Sequence, residues 1–137
     1  MTGRTVGIIG CGNIGKDLVE MLKPFNCKIL VNDIVDYAEF YHKHKILAVS
    51  KEELLSNSDL VTLHVPLDDS TRGMIGAEEL KQMKLDSVLI NSARGWLVDE
   101  AALLKGLKNG KPGAAAFDVL AQEPPEYFEL INHDHFL

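Results

Sequence analysis

Short apolar runs alternate with stretches of helical period along the whole chain. Thr5–Ile9, Lys28–Val31, Ile46–Val49, Leu60–His64 and Ser87–Asn91 are rich in Val, Ile and Leu, the pattern of strands buried on both faces. Ala114–Phe117 reads as a sixth strand; its alanines are weak strand formers but let a helix pack close. Ile14, Leu18 and Met21–Leu22 recur at helical spacing until Pro24 stops the helix. Ser50 and Glu53 make a capping-box pair at the start of another helix, and Ala77–Met83 puts Leu80 and Met83 on one face. Asp99 caps a helix carrying Leu103, Leu104 and Leu107, which Gly110 ends. Strand–helix repetition of this kind predicts an α/β fold, a doubly wound parallel sheet in three α/β/α layers with right-handed crossovers. No internal repeat, low-complexity tract or flexible linker interrupts it, so residues 1–137 read as a single domain.

Composition narrows the function without changing the fold. The chain has 137 residues, 46% hydrophobic and 25% charged, enough to bury a core without disulfides or metals. Its net charge of −6 speaks against nucleic-acid binding, which calls for a basic face. An anionic cofactor stays compatible, because oriented backbone N–H groups hold a phosphate locally. Cys11 and Cys27 do not form a framework of the secreted type. No run approaches about 18 apolar residues and the N-terminus carries no signal-peptide pattern, so a cytoplasmic protein with no membrane partner is expected.

The chemistry starts at Gly10-Cys11-Gly12-Asn13-Ile14-Gly15, a spacing that gains weight from its place between strand Thr5–Ile9 and the amphipathic helix. It is the fingerprint of a Rossmann-type dinucleotide site: Gly10 for the tight turn, Gly12 for close approach of a pyrophosphate, Gly15 for close packing of helix on strand. Asn13 and Ile14 open a helix whose free N–H groups, carrying about half a positive charge, face the phosphates. The second strand runs out at Asn32-Asp33, eighteen residues after Gly15. A carboxylate there accepts hydrogen bonds from both ribose hydroxyls of an adenosine. It would repel a 2′-phosphate, and no arginine lies in Ile34–His44 to receive one, so NAD is expected rather than NADP. A methyltransferase using S-adenosylmethionine could share this much, and the second half of the chain has to separate the two.

That half reads Leu60-Val61-Thr62-Leu63-His64-Val65-Pro66-Leu67, then Thr71-Arg72-Gly73, Ile90-Asn91-Ser92-Ala93-Arg94-Gly95, Leu97-Val98-Asp99-Glu100-Ala101-Ala102-Leu103, Ala116-Phe117-Asp118-Val119 and Glu123-Pro124-Pro125. From Gly3 to Leu137 the chain resembles the D-isomer-specific 2-hydroxyacid dehydrogenases, and within them the phosphoglycerate dehydrogenase branch. The resemblance implies that the backbone of His64, Val65 and Pro66 lines the nicotinamide ribose and that Ser92 and Ala93 touch the cofactor through their backbone. By the same resemblance Arg94 anchors and polarises the substrate; its planar fork suits the carboxylate and carbonyl oxygen of a 2-hydroxy or 2-oxo acid. The resemblance also implies that Asp118, twenty-four residues after Arg94, faces the nicotinamide ring and its carboxamide. The same resemblance implies that Glu123 pairs with the family's catalytic histidine and raises its pKa. Arg94 and Glu123 are thus the expected catalytic residues.

The family's histidine belongs to a Thr/Ser-Pro-His segment just past the strand that follows Glu-Pro-Pro. His133 and His135 precede it and lack the proline, so neither is expected to take the role. The chain therefore reads as the NAD-binding domain of an enzyme whose substrate domain and catalytic-histidine segment lie outside it, able to form a homodimer through the cofactor domain. Two positions depart from the pattern. Trp96 replaces the second glycine common after Arg-Gly, placing a large ring beside the site or at a partner contact, and Cys11 stands where leucine is commoner. The His42/His44 and His133/His135 pairs lack further ligands at metal spacing, so no metal is expected. Besides the dehydrogenase and the methyltransferase, a third reading is an NAD(H)-sensing corepressor-like binding module of the same family.

Overall fold

Backbone pairing in the computed structural model, which describes residues 1–137, joins six strands: β1 (Thr5–Ile9), β2 (Lys28–Asn32), β3 (Leu47–Ala48), β4 (Leu60–Leu63), β5 (Val88–Asn91) and β6 (Ala114–Phe117). All neighbours are parallel, in the order β3-β2-β1-β4-β5-β6. The helices are α1 (Asn13–Leu22), α2 (Ala38–His44), α3 (Lys51–Asn57), α4 (Ala77–Gln82), α5 (Glu100–Lys108) and α6 (Phe128–Ile131). This is the doubly wound sheet that the alternating pattern predicts, and the six expected strands all form, each within two residues of its expected ends.

Side-chain alternation along the strands divides the interior into two cores. Val6, Ile8, Ile29 and Val31 point to a face covered by Val19 of α1 and Tyr41 of α2. Ile9, Leu30, Val61, Leu63, Leu89 and Ala115 point to the other, under Leu54 and Leu55 of α3, Leu80 of α4, Leu103, Leu104 and Leu107 of α5 and Leu130 of α6. Gly7 belongs to this second face, where an added Cβ would stand 2.5 Å from Leu54 Cδ2, so α3 lies directly on β1. No helix is long and apolar enough to cross a membrane.

The caps form at both expected helix starts, although of the Ser50–Glu53 capping box only the Ser50 half is made. The Ser50 hydroxyl accepts the Glu53 N–H at 3.1 Å and the Asp99 carboxylate accepts the Ala102 N–H at 3.0 Å, each serving a donor that the first helical turn leaves open. After Leu22 the chain runs on through one 3-10 turn, Lys23–Phe25, so Pro24 ends the α-helix without ending the coil. Helix α2, the four-residue helix α6 and a strand-like segment at the C-terminal end go beyond the expected elements. Helix α2 escaped because it is short and its apolar face is only Phe40 and Tyr41, with Tyr37 at its cap, followed directly by the polar run His42, Lys43 and His44. At the far edge, residues 135–137 run parallel along β6, with Ala115 N–H donating to His135 O at 2.9 Å and Phe117 N–H to Leu137 O at 2.8 Å.

Leu63 is fully buried in the larger core at the end of β4. Leu63→Ala is expected to lower stability by about 2–5 kcal/mol. Leu85→Ala, at a side chain 66% exposed, is expected to stay within about 0.5 kcal/mol of the parent; chemical denaturation of the three proteins measures both.

Candidate functional site

Strand order reverses at β1, whose neighbours β2 and β4 lead to opposite edges of the sheet. In doubly wound sheets the crevice for a ligand opens there, beyond the carboxyl ends of the strands. Three glycines shape its floor, for different reasons. Gly10 has φ +95°, and a Cβ on it would stand 2.5 Å from His64 O. A Cβ on Gly15 would stand 2.3 Å from Gly10 O. The fold itself demands glycine at both places. Gly12 is different: its φ is −69°, which any residue adopts, and nothing of the protein lies within 4 Å of an added Cβ.

Above Gly12 the helix start is left open. Lys16 N–H makes the first helical bond, to Gly12 O at 2.9 Å, while the N–H groups of Gly12, Asn13, Ile14 and Gly15 donate to no backbone acceptor. Gly12 has no side chain to cap them, and α1 has no acidic residue in its first turn. An unfilled row of donors at the positive end of a helix suits a diphosphate. The residues present therefore fit a dinucleotide.

Asp33 leaves β2 beside this turn. Its Oδ2 accepts the Cys11 N–H at 2.5 Å and its Oδ1 the Val35 N–H at 2.9 Å, so the carboxylate ties the glycine turn to the end of β2. A carboxylate offers about four acceptor positions, and two remain for ribose hydroxyls. The next side chain, Ile34, is wholly exposed and borders a groove of about 460 Å³ with Asp33, Val35, Val49 and Ser50. This apolar wall beside the Asp33 carboxylate was not legible in sequence, where Ile34 is one apolar residue in a turn. Cys11 is buried, and desolvation together with the Asp33 charge pushes its thiol up, so it is an inert packing residue. Burial likewise raises the Tyr41 hydroxyl beneath the turn to about 12.

The remaining expected residues sit at the ends of β4, β5 and β6, along the same sheet edge. His64 donates its N–H to Ile9 O at 2.7 Å, and its half-buried ring Nε2 lies 3.0 Å from Thr62 Oγ1. Desolvation lowers its pKa from the ordinary 6.5, so the ring is neutral at neutral pH. Val65 is half-buried and Pro66 exposed. Past β5, Ser92 and Arg94 are exposed and Ala93 half-buried, and the Arg94 guanidinium donates to Ala93 O at 2.7 Å. Asp118 and Glu123 are exposed on the loop after β6, and neither they nor Arg94 form an ion pair. All three charges are thus free to meet a ligand or another part of a larger protein.

Asn91 supports this edge, a role the motif did not reveal. Fully buried, it donates from Nδ2 to Arg94 O at 2.8 Å and accepts the Ala93 N–H at 3.1 Å, which pins the loop that carries Arg94. Trp96 turns its half-exposed ring to Arg72, whose guanidinium carbon lies 5.1 Å from the ring centre. His42 and His44, two apart on α2, point to different helix faces. The His135 ring sits 2.9 Å from Gly113 O, and His133 Nδ1 accepts the His135 N–H.

Comparison with known proteins agrees with this geometry. The sequence model of the D-isomer specific 2-hydroxyacid dehydrogenase NAD binding domain matches residues 1–137. A glycerate dehydrogenase of Methylorubrum extorquens is 48% identical over 126 residues, 92% of this chain and 38% of that enzyme. A D-3-phosphoglycerate dehydrogenase of Methanocaldococcus jannaschii is 40% identical over 98% of this chain and 26% of its own length. Among solved structures, the NAD-complexed D-isomer specific 2-hydroxyacid dehydrogenase of Lactobacillus delbrueckii ssp. bulgaricus superposes with a TM-score of 0.90 at 35% identity, covering 98% of this chain and 46% of that one. The chain therefore spans less than half the length of each.

Replacing Asn91 with alanine leaves Ala93 N–H and Arg94 O without their buried partner; a loss of about 1–3 kcal/mol is expected by chemical denaturation. His64 sets a pH dependence. Its folded pKa lies below the unfolded value, so between the two the unfolded chain binds more protons and stability rises with pH, levelling off above 6.5. Thermal melts from about pH 5 to 7 should show that rise, and His64→Gln should flatten it.

Proposed function

Since the chain belongs to the D-isomer specific 2-hydroxyacid dehydrogenases, of which it is the NAD-binding domain, we propose that it holds NAD between the ends of β1 and β4 and serves the oxidation of a small D-2-hydroxy acid, or the reverse reduction. Gly12 carries this reading: no internal contact or backbone angle calls for glycine there, so the demand comes from a ligand approaching the open N–H row. In this assignment Gly10 and Gly15 shape the turn, and Gly12, Asn13, Ile14 and Gly15 give their N–H groups to the pyrophosphate. Asp33 takes the adenosine ribose hydroxyls, with Ile34 as an apolar wall for the base. Backbone at His64, Val65 and Pro66 and at Ser92 and Ala93 lines the nicotinamide half, and Asp118 faces the carboxamide.

When bound, NAD supplies the hydride acceptor; the protein supplies position and charge. Arg94 holds the substrate carboxylate and carbonyl oxygen in its planar fork. Glu123 faces an acid–base histidine supplied elsewhere in the full-length enzyme, stabilises its charged form and so raises its pKa. The pairing of residues 135–137 along β6 leads the chain toward the edge that bears Asp118, which is where a following histidine segment would have to emerge. Glycerate and phosphoglycerate are the substrates we favour, from the relatives named above. We place the enzyme in the cytoplasm as a homodimer paired through this domain. The methyltransferase reading shares the glycine turn and Asp33 and nothing after Leu60.

Calorimetric titration with NADH, NADPH and S-adenosylmethionine tests this assignment. NADH should bind saturably and NADPH at least about tenfold more weakly, a gap of about 1.4 kcal/mol from repulsion between Asp33 and the 2′-phosphate. Asp33→Ala should weaken NADH and close that gap. Binding of S-adenosylmethionine without NADH would overturn the assignment.

A further inference from the structure

Glu100 is a buried ionisable side chain to which the proposed site gives no role. Glu100, at the start of α5, is 4% exposed, and burial raises its pKa. A carboxylate in that setting is costly to keep unless it serves a contact. Its Oε1 accepts the N–H of Ala121 at 2.6 Å, across 21 residues of sequence. Gly95 meets the same segment from the β5 side: a Cβ on it would stand 2.0 Å from Leu120 O and 2.5 Å from Ala121 N. The upstream end is fixed by the Asp118 N–H, which donates to Asn91 O at 3.1 Å. Residues 118–121 are thus tied to β5 at one end and to α5 at the other. Glu100 supplies the one side-chain hydrogen bond to that segment. Asp118 begins it, and Glu123 follows two residues after it ends.

We infer that Glu100 is a positioning residue of the dehydrogenase site: by holding Ala121 it sets where the Asp118 carboxylate stands against the nicotinamide half of the cofactor. The inference rests on the placement of Asp118 proposed above. Loss of the Glu100–Ala121 bond frees one end of a short loop and leaves the glycine turn and Asp33 untouched, so it weakens contacts to one half of the dinucleotide only.

Two ligands separate this role from a structural one. The chain is titrated with NADH and with ADP-ribose, which keeps the pyrophosphate and both riboses but lacks the nicotinamide ring. Glu100→Ala should weaken NADH about tenfold, the worth of one hydrogen bond to a charged acceptor, and leave ADP-ribose unchanged. Glu100→Gln, whose amide oxygen can accept the same N–H, should restore NADH binding. Equal weakening of both ligands, or no loss for NADH, overturns the role. If Glu100→Ala melts below the assay temperature, Glu100→Asp draws the acceptor back by one methylene and is read against the same two ligands with the same outcomes. Asp118→Ala checks the premise. Unchanged NADH affinity in that variant removes the placement of Asp118 and the inference with it, whereas a loss there with none in Glu100→Ala or Glu100→Asp removes the role of Glu100 alone.

Discussion

The cofactor edge depends on how closely the turn after β1 lies against the end of β4. At Gly10 the two backbones leave no room for a single carbon between the turn and the His64 carbonyl, and at Gly15 the first helical turn closes onto Gly10 in the same way. These approaches hold α1 with its open N-terminus over the reversal point of the sheet. Capping the helix in the ordinary manner, with a Ser, Thr or Asp side chain, would satisfy one of those donors and fill the space above Gly12. The chain instead keeps glycine there and leaves the donors free. Local stability of the helix start is given up where a diphosphate can supply the acceptors.

Of the side chains proposed to meet ligand, Arg94, Asp118 and Glu123 are exposed and Asp33 is half-buried, while Asn91 and Glu100 beneath the loops are buried. Arg94, Asp118 and Glu123 reach into solvent without ion-pair partners, which leaves their charges able to meet a substrate or a second part of the enzyme. Long polar side chains on loops wander unless their backbone is fixed. Asn91 fixes the Arg94 loop from beneath, and Asp33 draws Cys11 to the end of β2 with one oxygen and Val35 with the other. Each support is a polar group bonded to backbone N–H or C=O, because a loop offers few side chains for apolar packing but always offers unpaired backbone.

The two faces of the sheet are unequal in a way that suits this arrangement. The larger core, under α3 to α6, stabilises the half that carries the β5 and β6 loops; the smaller, under α1 and α2, supports the glycine turn. On that smaller side the outward-alternating residues of β5 and β6, Val88, Ile90, Ala114 and Ala116, stay only half-buried. Alanine at those β6 positions keeps the exposed apolar area low. The weak strand propensity of Ala114–Phe117 is offset by pairing on both sides, with β5 and with residues 135–137.

Sequence by itself determined the architecture and the place of the glycine turn after β1. Apolar strands of four or five residues, helix caps at Ser50 and Asp99 and the glycine spacing after β1 are local signals, carried by neighbours a few residues apart, and each acts as its chemistry requires. Helix α2 was missed because its aromatic stripe covers barely one turn before the polar run His42–His44. Only the tertiary structure decided which residues support the site, since those contacts join positions far apart in the chain: Cys11 with Asp33, Glu100 with Ala121, Gly10 with His64. It also decided that Gly12, alone among the three glycines of the turn, has no internal reason to be glycine. Whether a Cβ would collide with anything depends on what packs nearby, and the spacing of glycines along a chain holds no record of that.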